Sequence, residues 1–496
     1  MRTRTPFSAL RWLSLVFVLL GVVLFTLQLV SFSRIWASFP SGLTIAGVPV
    51  GHLDRQAAAQ RLLEAYSIPV ELHYENAVVQ LSPSVVGFQL DLESMLAAAD
   101  QERTRLPFWA AFWNYLWGSP GTQANIPLSA TFSTERLRAY LVDEIAARYD
   151  HPPVPALPLT GTVNFQAGVP GTSLDIDRSV TLVETALKTT DQRVIDLPLE
   201  HSNPSRPAFQ NLQILLHQTI DLAKFDGVIG IYLKDLQNAQ EMYLLEKGGS
   251  VISSPPDVAF TAASTIKIPI LVGVIKRLGD SPDPAVISHI IEMIGKSSNP
   301  PADWLMQKVI DPARGPLDLT DDLHALGLQN SFMSGYFFPG SPLLAHMKTP
   351  ANSRSDVITD PDPYSQTTPS EMGLLMESIY QCAQNGGGSL VAVFGGQITQ
   401  SKCQDMINYL LMDHNAVLIQ GGVPDGTKVA HKHGWVTDPY GVIHDMSDAA
   451  LVYTPGGNYI LTIYLYHPTQ LVWDNASKLV SDISRAVYNF YNLPTQ

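Results

Sequence analysis

The chain has 496 residues, 46% of them hydrophobic and 15% charged, with a formal net charge of −14. That length accommodates two or three domains, and the composition is that of a folded protein with sizeable cores. The acidic balance argues against nucleic acid as a partner, because nothing in it would neutralise phosphates.

At the N-terminus, Arg2, Arg4 and Arg11 precede Trp12 to Ser33, a run of 22 residues without a charge. As a helix it would be about 33 Å long, enough to cross a bilayer. It also exceeds the roughly 7–15-residue apolar core of a cleavable signal. The expectation is a short cytoplasmic segment (1–11), one transmembrane helix (12–33) and extracytoplasmic domains beyond it, since arginines stay inside. No cysteine lies near the span, so a lipid-modified cysteine is not the anchor.

Residues 42–200 read as short strands alternating with helices. Asp54 is placed to cap a helix with Ala58, Leu62 and Leu63 inward. Val70–Tyr74 and Val78–Leu81 alternate like half-buried strands. Ser133 opens a further helix with Leu137, Tyr140, Leu141 and Ile145 inward. Gly87-Phe-Gln-Leu-Asp-Leu92 and Gly171-Thr-Ser-Leu-Asp-Ile176 echo one another, each followed by a helical pattern, which suggests two related α+β units. With Ala46-Gly-Val-Pro-Val-Gly51, these turns resemble the peptidoglycan-binding domain type found ahead of VanW-type domains in exported bacterial proteins. The resemblance implies a wall-binding region; a spacer is the alternative. Phe108 to Trp117 is dense in aromatics and lacks a basic face. Packing into the domain is favoured over lying on the membrane surface.

Residues 201–208, rich in proline and polar side chains, read as a linker to a last domain at 209–496. There, Asn211–Ala223 reads as an amphipathic helix. Gly227–Leu233 and Glu241–Leu245 read as paired strands, and Ala263–Leu278 as a buried helix. A mostly helical region extends to about Asp413. Lys428–Trp435, Ala449–Tyr453 and Tyr459–Tyr466 read as three more strands, and Val472–Tyr491 as a closing helix. The expected class is α+β: a five-stranded antiparallel sheet covered by helices, with a separate helical lobe.

Three segments carry the chemistry. Ser264 and Lys267 lie three apart at a helix start, so they share one face. A neutral amine there takes the hydroxyl proton and creates a nucleophile. Ser297 and Asn299 sit in a break between two helical patterns. Lys432 precedes Gly434 on the first late strand. The order Ser-x-x-Lys, Ser-x-Asn, Lys-x-Gly resembles the class A β-lactamases and low-molecular-weight penicillin-binding proteins over residues 211–496. That resemblance implies a β-lactamase/transpeptidase-like domain acting on a β-lactam or a peptidoglycan peptide. It implies Ser264, Lys267 and Ser297 as catalytic groups, with Ser297 as proton shuttle. It implies Asn299, Lys432, Gly434 and Trp435 as substrate-binding groups, the N–H groups of Ser264 and Trp435 forming the oxyanion hole. No cofactor is implied. A module that senses β-lactam or binds wall without turnover is the alternative.

The sequence departs from the pattern in places. His433 stands where threonine or serine is usual, and Ser298 where class A enzymes often have aspartate. No glutamate lies between Phe337 and Gln366, where those enzymes keep their deacylating base; only Asp356, Asp360 and Asp362 do. Glu371 falls on the following helix and is expected to be solvated. His431 and His433 share a strand face, but no third metal ligand is evident and no metal is expected. Pro269 is expected to distort its helix. Cys382 and Cys403 are either a disulfide or two buried thiols.

Overall fold

The computed structural model describes residues 7–118, 123–204, 206–253, 257–279, 281–413 and 417–493. They form two compact units, one of Met1–Pro153 with Pro170–Asn203, the other of Val154–Val169 with Pro204–Gln496.

The first unit opens with helix α1 (Phe7–Trp36), which contains one stretch, Arg11–Trp36, long and apolar enough to cross a membrane. Beyond it lie two small hydrophobic cores. In one, Leu43–Ile45 pairs with Val48–Pro49 and Ala124–Ile126, beneath α2 (Arg55–Ser67) and α3 (Leu92–Arg103). Helix α4 (Phe108–Leu116) packs against α1, with Phe112 buried. In the other core, Val70–Tyr74 pairs with Ala77–Leu81 and Val194–Asp196, beneath α5 (Thr134–Tyr140) and α6 (Ile176–Leu187).

The expected caps form. Asp54 accepts from Ala57 N, Asp91 from Ser94 N, Ser133 from Arg136 N and Asp175 from Arg178 N. Each satisfies a backbone N–H left orphaned by the helix start, for about 1 kcal/mol. Leu63 is a correction: it is exposed, and the inward stripe is Ala58, Leu62 and Tyr66, at exact i+4 steps. The two echoing turns both cap helices, but the cores interleave. The second core draws residues 70–86 from ahead of α3 and 174–199 from far behind it.

The second unit is built on one antiparallel sheet. Its strands are β1 (Val228–Asp235), β2 (Glu241–Lys247), β3 (Ser250–Val251), β4 (Lys428–Thr437), β5 (Ile443–Tyr453) and β6 (Tyr459–Tyr466). The order is β3-β2-β1-β6-β5-β4, so the five expected strands gain a two-residue edge strand. Both faces are covered. Helices α7 (Phe209–Leu222) and α13 (Trp473–Tyr491) bury Leu212, Leu216, Val480 and Val487 against one face. On the other side one continuous core joins α8 (Lys267–Arg277), α9 (Pro284–Gly295) and α10 (Asn299–Leu305) to α11 (Pro369–Asn385) and α12 (Gln400–Leu410), the last two packing on the strands directly. Coverage on both sides explains why β1 and β6 read as near-continuous apolar runs.

Two details differ from the sequence reading. Strand β5 begins at Ile443, six residues earlier than its apolar run, because Asp445, Ser447 and Asp448 are buried polar residues. The expected linker is tied down: Arg206 pairs with Asp235 at 3.0 Å and lies 4.6 Å from the Tyr491 ring centre. Residues 154–169 also pack in this unit, with Phe165 against Phe490.

Cys382 and Cys403 form a disulfide that joins α11 to α12, with their Cα atoms 5.8 Å apart. It closes a loop of about the size for which chain entropy gives roughly 3 kcal/mol. Replacing both cysteines with alanine is expected to lower the denaturation midpoint by a corresponding amount, read by chemical unfolding. An unchanged midpoint would mean that the helix packing alone fixes this pair.

Candidate active site

Ser264 lies in a tight 3-10 turn, Ala263–Ile266, that leads directly into α8. The turn also accommodates Pro269: it falls in the first turn of α8, where its missing N–H is not needed. The segment expected as one helix from Ala263 is 3-10 up to Ile266 and α-helical from Lys267, an irregularity in the turn ahead of the proline. Ala263, immediately before the serine, has φ of 48°, in the left-handed region that non-glycine residues avoid. Such a residue costs on the order of 1–3 kcal/mol and persists only where its surroundings force it. Ser297, at the break between α9 and α10, is held at φ 56°.

The force at Ala263 comes from β4. A Cβ added to Gly434 would lie 2.5 Å from the Ser264 nitrogen and 3.0 Å from the Ala263 Cβ. The strand edge thus runs against the backbone of the serine turn, and only glycine permits it. Strand β4 is an edge of the sheet, so Gly434 and Trp435 border open space beside Ser264.

Lys267 is the hub. It is completely buried, and its Nζ lies 2.9 Å from Ser264 Oγ. It donates to Ser297 O at 2.7 Å and to Asn299 Oδ1 at 2.7 Å, with Ser297 Oγ at 3.4 Å. The Phe337 ring centre is 5.2 Å away. Burial, reinforced by the nearby Lys432 charge, pushes the Lys267 amine down to about 7. At neutral pH a large fraction of it is therefore free base.

Lys432 is also buried, and its Nζ donates to Asp413 Oδ2 at 3.0 Å and to the His433 carbonyl at 3.2 Å. It does not line the cleft; His433 does. Burial pushes the Asp413 carboxyl up, but the His433 contact and the Lys432 charge outweigh this and hold it at about 2. His433 Nδ1 sits 2.7 Å from the same oxygen, off the line of a hydrogen bond. Its ring stacks on Trp435 at 5.1 Å, and Trp435 meets Trp473 edge-on at 4.8 Å. The resulting cleft, about 490 Å³, is lined by Ser264, Ser297, Asn299, Asp413, His433 and Trp435, with Gly434 at its edge.

Asp413, His431 and His433 each offer a ligand atom within 4.8 Å of the others, so a third candidate ligand does exist. Both ring nitrogens of His431 are nevertheless engaged, with Asp448 at 3.0 Å and with Gln420 at 3.1 Å. The Lys432 ammonium already occupies Asp413. His431 and Asp413 are engaged within the protein, and a cation would have to break these contacts.

The loop aspartates are placed elsewhere. Asp356 pairs with Arg354 at the surface. Asp362 accepts from Tyr364 N at 2.8 Å and lines a separate cleft. Asp360 is exposed. Among the described residues lining the Ser264 cleft, Asp413 is the sole carboxylate. Glu371 is a correction: it is buried, not solvated. It accepts from Asn330 N at 2.9 Å, from Asn330 Nδ2 at 2.9 Å and from Ser331 Oγ at 2.7 Å, fastening the segment after residue 328 to α11.

Sequence reasoning missed Asp413 and Asp303. Asp303 Oδ1 accepts from Phe337 N at 2.8 Å and so fixes the loop whose phenyl ring covers Lys267. Burial pushes this carboxyl up. The available signal was indirect: a buried lysine at position 432 requires a carboxylate close by.

The family model described as Beta-lactamase enzyme family matches residues 212–281 and 290–491, more than half of the sequence. The chain belongs to this beta-lactamase family. Its second unit has the β-lactamase/transpeptidase-like α+β fold. Similar solved structures include a variant of the last common ancestor of Gram-negative bacteria beta-lactamase class A. It is 18% identical, with 56% of this chain and 97% of that chain covered and a TM-score of 0.40. PBP-A is 18% identical over 58% of this chain and 98% of that chain, TM-score 0.40. A beta lactamase from Xanthomonas campestris pv. campestris is 16% identical over 56% and 98%, TM-score 0.41. A search of curated proteins finds no match to the sequence.

Proposed function

We propose that the protein is a membrane-anchored, extracytoplasmic serine hydrolase in which Ser264 forms an acyl-enzyme with a β-lactam or a peptidoglycan peptide amide. The observation that supports this most is the 2.9 Å contact of Lys267 Nζ with Ser264 Oγ, made by an amine held near 7. Neutral Lys267 takes the Ser264 proton as Oγ attacks the carbonyl carbon. The main-chain N–H groups of Ser264 and Trp435 receive the developing oxyanion. The C–N bond then breaks, and the leaving nitrogen takes its proton through Ser297 from Lys267. Asn299 holds the lysine and the substrate amide. Burial, reinforced by the Lys432 charge, favours the neutral Lys267 amine, and His433 with Trp435 faces the substrate from the strand side. The apolar α1 is the anchor, and residues 42–200 hold the wall or space the hydrolase from the membrane.

Water must finally release the acyl group. Asp413, the one carboxylate among the described residues lining the cleft, is tied to Lys432 and held near 2, which makes it a weak base. Slow deacylation follows. Incubating the purified full-length protein with benzylpenicillin and following its intact mass is expected to show one added penicillin that persists for minutes or longer. Loss of the adduct within seconds would show that fast hydrolysis needs no loop glutamate and would leave a β-lactamase proper.

A further inference from the structure

Helix α4 has two aromatic faces. Phe108, Phe112 and Tyr115 meet α1: the Phe108 and Phe112 rings each lie 5.3 Å from Phe32, Phe112 lies 5.4 Å from Phe25, and Tyr115 Oη reaches Gln28 Oε1 at 3.1 Å. Trp109, Trp113 and Trp117 follow at i+4 steps on another face and are 58%, 54% and 80% exposed. Successive i+4 residues form one stripe. The helix carries no charged residue. Three open indoles in a row are not a surface that a domain ordinarily leaves to water.

Its position relative to α1 says what covers it. Phe25 lies nine residues before Arg34 in α1, so about 14 Å deeper along the helix axis. Arg34 is exposed, and Arg103 Nη1 donates to Trp36 O at 2.8 Å, so basic groups gather at the end of the apolar span. Tryptophan prefers the headgroup level of a bilayer, where an amphipathic ring meets both acyl chains and headgroups. Phe108, 5.5 Å from the Trp36 ring, puts the Trp109 end of α4 near that level, while Phe112 beside Phe25 puts Trp113 deeper.

We propose that α4 is a second membrane element, an aromatic wedge that enters the outer leaflet from its interface beside α1, with Trp109, Trp113 and Trp117 toward lipid. It rests on the reading of α1 as the anchor. The wedge holds the first unit at the bilayer surface instead of letting it swing on a single helix.

The test is site-directed spin labelling of the full-length protein in phosphatidylcholine/phosphatidylglycerol vesicles. The native cysteines form a disulfide, so a nitroxide attaches only to the new thiol. Trp109→Cys and Trp113→Cys report on α4, and Leu24→Cys on α1, with a melting curve like the parent's as the check on folding; Trp117→Cys replaces whichever α4 variant fails it. Oxygen is expected to collide severalfold more often than a water-soluble nickel chelate at 24 and 113, with a smaller excess at 109. Nickel-favoured collisions at both α4 positions, with oxygen favoured at 24, would overturn the wedge and leave the anchor. Low collision rates with both reagents on α4 would instead indicate a protein partner and overturn it too. Nickel-favoured collisions at 24 would remove the anchor reading and the wedge with it.

Discussion

Replacing Lys267 with alanine is expected to slow acylation of Ser264 by up to about 10⁴-fold, the upper range for a lost general base. Among the described residues the other cations of the site are engaged elsewhere: Lys432 is bound to Asp413, and Lys296, on the exposed rim of the cleft, pairs with Glu292 at 3.6 Å. Lys267→Arg should be equally inactive, because a guanidinium remains protonated and cannot take the hydroxyl proton. Alanine also opens a cavity, which Lys267→Met refills; both variants strand Asn299 Oδ1 and the Ser297 carbonyl, so a melting curve for each checks that the loss is chemical and not a failure to fold. In the wild type, acylation by a fluorescent penicillin should rise with pH through about 7 and then level off, following the fraction of free amine. The same shift bears on stability. A lysine titrates near 10.5 when exposed and near 7 here, so between those values the unfolded chain binds more protons. Stability from this group therefore rises with pH across that window. Unchanged acylation in Lys267→Met would remove the lysine from the mechanism.

Gly434→Ala is expected to cost about 10²–10³-fold in acylation, the scale of a lost oxyanion donor. The added carbon would stand 2.5 Å from the Ser264 nitrogen, and its obstacles are backbone and the short Ala263 side chain, which cannot swing away. Either β4 or the serine turn must shift, and both carry a proposed oxyanion N–H. Overpacking of this kind also destabilises by about 1–3 kcal/mol. The control is Gly279→Ala, whose added carbon meets nothing within 4 Å. It should match the parent in rate and melting temperature. If Gly434→Ala also acylates at the parent rate, the close approach of strand and turn has no part in catalysis.

Much of this architecture was legible because burial and hydrogen bonding leave regular marks in sequence. The apolar runs of β1 and β6 exist because helices cover both faces, and the three polar segments stood out by order and context. What stayed hidden depends on tertiary pairing. Asp445, Ser447 and Asp448 disguised the start of β5, since a polar residue buried beside its partner reads as a loop residue. Asp413 follows the end of α12 and becomes significant only when β4 brings Lys432 to it. Glu371 looked like a surface glutamate on the first turn of a helix, and only the return of Asn330 and Ser331 buries it. In α4, aromatic density was plain, but its division into a face against α1 and a face away from it needed both helices.

The most direct measurement is to label the full-length protein with a fluorescent penicillin, digest it and locate the label by mass spectrometry. The label should be found on the peptide containing Ser264, bonded to that side chain, and should be absent from Ser264→Ala. Label on any other residue, or none on a protein with its normal melting transition, would show that Ser264 is not the nucleophile.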